Sequence, residues 1–170
     1  MSNKIYSIHA LCFGQETSLC IEVQGIKLPK GTGEIIITGN LGLVAYESML
    51  VAKTLIGVNY PVIYNHNYHL HFSYHATKKE GASWGLACFI ILSFLCNKLK
   101  YKKGIAATGE IDLSGTIKPV KYIDEKLAAW AKSNCDMLFV PQDDRITAND
   151  GIYQVNSINQ IQPIIERIVK

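Results

Sequence analysis

A chain of 170 residues is about one domain long, enough for one hydrophobic core. With 48% hydrophobic and 18% charged residues, its composition is that of a globular protein and excludes a disordered, collagenous or coiled-coil chain. Seventeen Lys and Arg against fourteen Asp and Glu leave a net charge of +3, too small to argue for a nucleic-acid partner.

No internal repeat, low-complexity tract or Ser/Pro-rich linker interrupts the chain, so residues 1–170 read as a single domain. The first ten residues carry one Lys and no long apolar core, which is not a signal-peptide pattern. Residues 19–26 alternate loosely and predict a strand, and Lys30-Gly-Thr-Gly33 a turn. The β-branched stretch 34–38, bounded by Gly33 and Gly39, predicts a second strand. In 43–56, Leu43, Glu47, Leu50, Val51 and Thr54 fall at helical spacing, with Gly57 as the stop. A strand at 68–72 follows. The 82–98 segment reads as a helix that is apolar nearly all round, hence central. Its strongest apolar stretch, 84–96, is thirteen residues, short of the about 20 that cross a membrane; no membrane association is expected. Beyond it lie a strand over 104–113 broken at Gly109, a turn at Ser114-Gly115 and a helix over 122–133. A strand at 137–140 ends at Pro141, another spans 152–155, and Ser157 caps a helix running to 169. Strands and helices alternate, so the fold class is α/β with a mixed sheet and flanking helices.

The five cysteines (Cys12, Cys20, Cys88, Cys96 and Cys135) are odd in number and contain no CxxC pair. They read as reduced, buried thiols of a cytoplasmic protein. His66, His69, His71 and His75 lie within ten residues. No Cys or acid stands beside them at zinc-ligand spacing, so core or site-lining imidazoles are expected and no metal. Lys98, Lys100, Lys102 and Lys103 cluster at a helix C-terminus, where the dipole favours positive charge. A solvated helix end is the reading there. No G-x-x-x-x-G-K-[ST] occurs, so no ATP site and no cofactor is expected.

The sharpest local pattern is Gly81-Ala82-Ser83-Trp84-Gly85, a G-x-S-x-G opening the 82–98 helix. Small neighbours would let a substrate backbone approach, and a helix N-terminus offers unpaired N–H groups for an oxyanion. A serine that merely caps the helix fits the same five residues. All five histidines precede Ser83, which does not fit the Ser, acid, His order of α/β-hydrolases. A serine nucleophile here needs an upstream His or a Lys. Lys126, beside Leu127, Ala128 and Trp130, is the candidate, provided burial strips its proton. A solvated helix lysine is the plain alternative.

Taken together these motifs resemble the proteolytic domain of Lon proteases, over about 31–141. The strand and Thr38-Gly39-Asn40-Leu41-Gly42 turn, His69-Leu70-His71, Lys79-Glu80-Gly81-Ala82-Ser83, Thr108-Gly109-Glu110-Ile111 and Glu125-Lys126-Leu127-Ala128-Ala129 stand in the family's order. Lys126 lies 43 positions after Ser83 and Thr108 lies 25 after it, the family's spacing. The resemblance implies a serine endopeptidase working through a Ser83–Lys126 dyad, with Thr108 orienting the amine and His71 and Glu80 in supporting roles. It implies peptide or unfolded-protein substrates, a separate ATPase as a possible partner in place of one of its own, and a hexameric homo-oligomer. Trp84 and Lys121-Tyr122 replace small residues of the family pattern. They favour the alternative, a non-catalytic Lon-fold module that builds rings or binds partners.

Overall fold

The computed structural model describes residues 4–14, 16–97, 104–147 and 149–168; the Lys98, Lys100, Lys102 and Lys103 cluster lies outside them. A long hairpin sets the frame. β1 (Ile5–Gly14) and β2 (Thr17–Lys27) pair antiparallel from Ile5 opposite Ile26 to Gly14 opposite Thr17. β1 escapes the sequence reading because the alternation that Tyr6, Ile8 and Ala10 begin is lost in the continuously apolar run Ala10-Leu11-Cys12-Phe13 of this central strand.

β3 (Ile35–Thr38) and β4 (Tyr68–Phe72) extend the sheet beyond β2; β5 (Ile105–Ala107), β8 (Met137–Pro141) and β9 (Ile152–Val155) extend it beyond β1. The seven-stranded order is β3-β4-β2-β1-β5-β8-β9. β1–β2 and β2–β4 are antiparallel and the other pairs parallel, a mixed sheet with helices, as expected. The predicted 104–113 strand splits after β5. The Gly109 peptide turns away to the start of α2 (Gly85–Asn97), its N–H donating to the Ser83 carbonyl and its carbonyl accepting from Leu86 N, both at 3.0 Å. The chain then forms a separate two-stranded sheet from β6 (Glu110–Ile111) and β7 (Ile117–Lys118).

The sheet separates two cores. Ile8, Ala10, Ile21 and Val23 pack with α1 (Leu43–Asn59), α2 and α4 (Ile161–Ile168) on one face. Leu11, Ala106, Leu138 and Val140 pack with Ile123 of α3 (Ile123–Ala131) on the other. α2 is buried from Gly85 to Cys96, the central helix that its composition predicts. α1 runs on through Gly57, where a Cβ would come 2.3 Å from the Tyr64 hydroxyl; the glycine serves packing there, not termination. Ser157 caps as expected. Its hydroxyl accepts from Asn159 N while Gln160 Oε1 accepts from Ser157 N at 3.1 Å, a capping box ahead of α4.

Candidate active site

At the carboxyl end of β5 the two helical layers meet around the end of the sheet. α2 brings its N-terminus from one face and α3 its first turn from the other. Ligand sites of open α/β sheets form at such strand ends. A cavity of about 350 Å³ opens here, with Ser83, Glu80, Glu110 and Lys126 on its walls and Phe13 and Tyr122 beside them.

Ser83 sits in a single 3-10 turn (Ala82–Trp84) that leads directly into α2. The turn is pinned from two sides. Ser48 of α1 donates its hydroxyl to the Ala82 carbonyl at 2.7 Å, and Gly109 N–H holds the Ser83 carbonyl. The two glycines of the motif have different tasks. Gly81 adopts φ 90°, ψ 161°, a region essentially closed to other residues, though a Cβ there would meet nothing within 4 Å. Gly85 instead lets α2 approach α1, since a Cβ would lie 2.7 Å from Ser48 Oγ and 2.9 Å from Ile111 Cγ1. The second glycine therefore serves helix packing rather than substrate approach. Trp84 points into the core at 1% exposure, edge-on to Phe72 with ring centroids 5.5 Å apart, and its indole donates to the Glu80 carbonyl. It does not line the cavity.

Lys126 lies on the buried stripe of α3, three residues after Ile123 and four before Trp130, and is 3% exposed. Ala128, expected on the helix's other face, is exposed. The Lys126 amine donates to Thr108 Oγ1 at 3.0 Å, and Thr108 is fully buried immediately beyond β5. Among the described residues no hydrogen bond links Lys126 to Ser83; they face the same cavity. Burial lowers the Lys126 pKa to about 8, opposed by the charge of Cys12. Burial also pushes the Cys12 thiol up to about 11, so Cys12 is neutral where Lys126 titrates and gives little opposition.

Glu80 presses its carboxylate against the Gly42 backbone at the start of α1, where a Cβ would be 2.4 Å away, and pairs with Lys78 at 2.5 Å on the surface. His71 lies on β4, away from the cavity walls. Its Nδ1 and His69 Nε2 share Thr38 Oγ1 at 2.8 and 2.9 Å. Burial, then His75, His69 and Lys79, lower the His71 pKa. Among the described residues no group of three or more His, Cys, Asp or Glu could hold a metal, and no helix is long and apolar enough to cross a membrane.

Two residues have structural roles that the sequence reading did not assign. Lys79, 1% exposed, donates its ammonium to the Tyr74 carbonyl, while its own N–H and carbonyl bond Asn40 O and Gly42 N. It thereby anchors the segment that delivers Gly81. Its place between Lys78 and Glu80 gives no sign of burial. Tyr122 caps α3 in the left-handed region (φ 59°, ψ 41°) and stacks on Phe13 with centroids 3.9 Å apart. A Gly would be the ordinary residue there.

A hydroxyl at a helix start and an amine stripped of water on one cavity are the parts that acyl transfer through serine requires. The class is serine peptidase: the family model of the Lon protease (S16) C-terminal proteolytic domain matches residues 2–166. The chain belongs to this family. It is 32% identical to the Lon protease of Fusobacterium nucleatum over 158 residues, covering 88% of this chain and 20% of that protein. Identity to the Lon protease of Campylobacter jejuni is 29%, over 82% of this chain and 20% of that protein. For the Lon protease of Flavobacterium johnsoniae it is 39%, over 60% and 13%. The chain thus spans a fifth or less of the length of these curated relatives.

Proposed function

We propose that the chain hydrolyses peptide bonds through a Ser83–Lys126 dyad, without nucleotide. Neutral Lys126 accepts the Ser83 proton as Ser83 Oγ attacks the substrate carbonyl. The amine then protonates the leaving nitrogen, and water cleaves the acyl-enzyme. Amides of the Ala82–Trp84 turn hold the oxyanion. Thr108 aims the amine. Glu80 and His71 act in support, Glu80 by fixing the turn against α1 and His71 by bracing β3 to β4 through Thr38. Substrates are short or unfolded peptides, which a separate ATPase could deliver.

The observation that carries this reading is the buried Lys126 amine, bonded to Thr108 and facing the cavity that Ser83 lines. The non-catalytic alternative leans on Trp84 and Lys121-Tyr122. Trp84 packs into the core, which leaves Lys121 and the stacked Tyr122 on the cavity wall. The experiment is cleavage of fluorogenic peptides across pH 6 to 10 by wild type and Ser83→Ala. The rate should climb with pH and level off above a limb near pH 8, and Ser83→Ala should be silent. No cleavage by wild type at any pH, with no labelling of Ser83 by a fluorophosphonate, would favour the scaffold.

A further inference from the structure

A second cluster of reactive groups lies on the α3 face of the sheet, outside the cavity. On β1, His9 and Leu11 point to this face, and Cys20 of β2 sits directly opposite Leu11. Cys135, in the turn between α3 and β8, packs into the same small core as Leu11, with Cys20 against it. The Cys20 thiol and the His9 imidazole both act electrostatically on the Cys135 sulfur. Ser133 completes the group, its hydroxyl accepting from Cys135 N at 3.2 Å. This pair is nearer the surface than Cys88: Cys20 is half-buried and Cys135 is 8% exposed, whereas Cys88 is wholly enclosed. His9 Nδ1 is buried without a hydrogen-bond partner among the described residues, a cost that a merely structural histidine seldom carries.

We propose that Cys135 and Cys20 are a peroxide-reactive thiol pair, with His9 as the proton-handling group, that closes to an intramolecular disulfide. The Cys135 sulfur attacks one oxygen of hydrogen peroxide or an organic hydroperoxide and the O–O bond breaks. Cys135 becomes a sulfenic acid, and the departing oxygen takes the proton from His9 and leaves as water or alcohol. The Cys20 sulfur then attacks the Cys135 sulfur. The S–O bond breaks, the S–S bond forms, and the hydroxyl leaves as water with the Cys20 proton. Two thiols lose two electrons and one peroxide gains them.

The electrostatics agree with that order of attack. The Cys135 thiol is held well below its usual range, first by the Cys20 thiol, against the effect of burial, and then by His9 and Ser133. Cys20 and His9 both move upward, chiefly through Cys135. Cys135 is thus the thiolate and Cys20 the resolving thiol, the division of labour that such chemistry needs. The closed bond would fasten the segment leaving α3 to β2.

The test treats the whole chain with equimolar hydrogen peroxide at neutral pH. Remaining thiols are then blocked under denaturing conditions and the peptides mapped without reduction. A Cys20–Cys135 linked peptide should dominate, with Cys12, Cys88 and Cys96 alkylated. In Cys20→Ser, dimedone should trap a sulfenic acid on Cys135. His9→Gln should slow peroxide consumption about tenfold with unchanged circular dichroism. Cys135 remaining reduced would overturn the proposal, as would oxidation spread evenly over the accessible thiols. None of these readouts requires peptide cleavage, so the outcome is independent of the dyad.

Discussion

Lys126 is costly to bury, and the proposed mechanism draws on that cost. Its pKa, lowered from 10.5 to about 8, corresponds to a penalty on the order of 3 kcal/mol borne by the folded state. The sign follows from proton counts. Between about pH 8 and 10.5 the unfolded chain holds a proton that the folded chain has released, so stability rises with pH across that window. Below pH 8 both states are protonated and the penalty is complete. Lys126→Met keeps the volume and removes the charge. It should therefore raise stability at pH 7 by about 2 kcal/mol, the gain shrinking toward pH 10.5, while turnover falls on the order of a thousandfold. Urea melts at pH 7 and 10.5 beside a cleavage assay check both halves. A stability gain independent of pH would mean that packing, not charge, sets the cost.

At the scale of elements, the start of α2 rests on two glycines that fail for different reasons. Gly85→Ala drives a methyl into Ser48 Oγ and Ile111, an overpacking cost of about 1–3 kcal/mol. Ser48→Ala in that background should recover part of it, because the nearest obstructing atom is then gone. Gly81→Ala meets no neighbour, and its cost, again about 1–3 kcal/mol, comes from backbone conformation alone. No truncation nearby can rescue it, and the Ser83 turn should shift, lowering kcat more than it raises KM. Thermal melts of the three variants decide this. Equal rescue of both would make the conformational account wrong.

On the scale of the whole molecule, α1 buries Met49, Leu55 and Ile56 together with its small residues but leaves other large apolar side chains outside. Ala45, Ser48 and Ala52 are buried, whereas Leu43 and Val58 are 70% and 75% exposed and Leu50, between them at helical spacing, is 39% exposed. The residues that mark α1 as a helix in the sequence, Leu43, Glu47, Leu50 and Thr54, lie on its outer side. Beside them Tyr64 is also exposed. Exposed apolar residues in such number along one element point to an association site. We propose that it is a subunit interface of a homo-oligomer, in keeping with the ring that the family resemblance implies. Sedimentation should show self-association of the wild type, and Leu50→Glu with Val58→Glu should give a folded monomer. A wild type that stays monomeric at high concentration would exclude the interface.

Much of the fold was legible residue by residue. The 68–72 and 152–155 strands coincide with β4 and β9, the apolar run coincides with α2, and Ser157 does cap α4, because period, composition and capping are local properties. The family was legible too, from motifs in fixed order. β1 was not, since its second half, Ala10 to Phe13, is continuously apolar and masks the alternation of its first half. Nor were the separate duties of Gly81 and Gly85 or the inward turn of Trp84, which depend on what packs from other parts of the chain. The amino-acid order alone determined which groups could react: a serine at a helix start and a lysine on an apolar stripe. Only the tertiary structure decided that they line one cavity. One arrives from each side of the sheet at the end of β5, with Thr108 just beyond it, and packing there buries the amine and lowers its pKa.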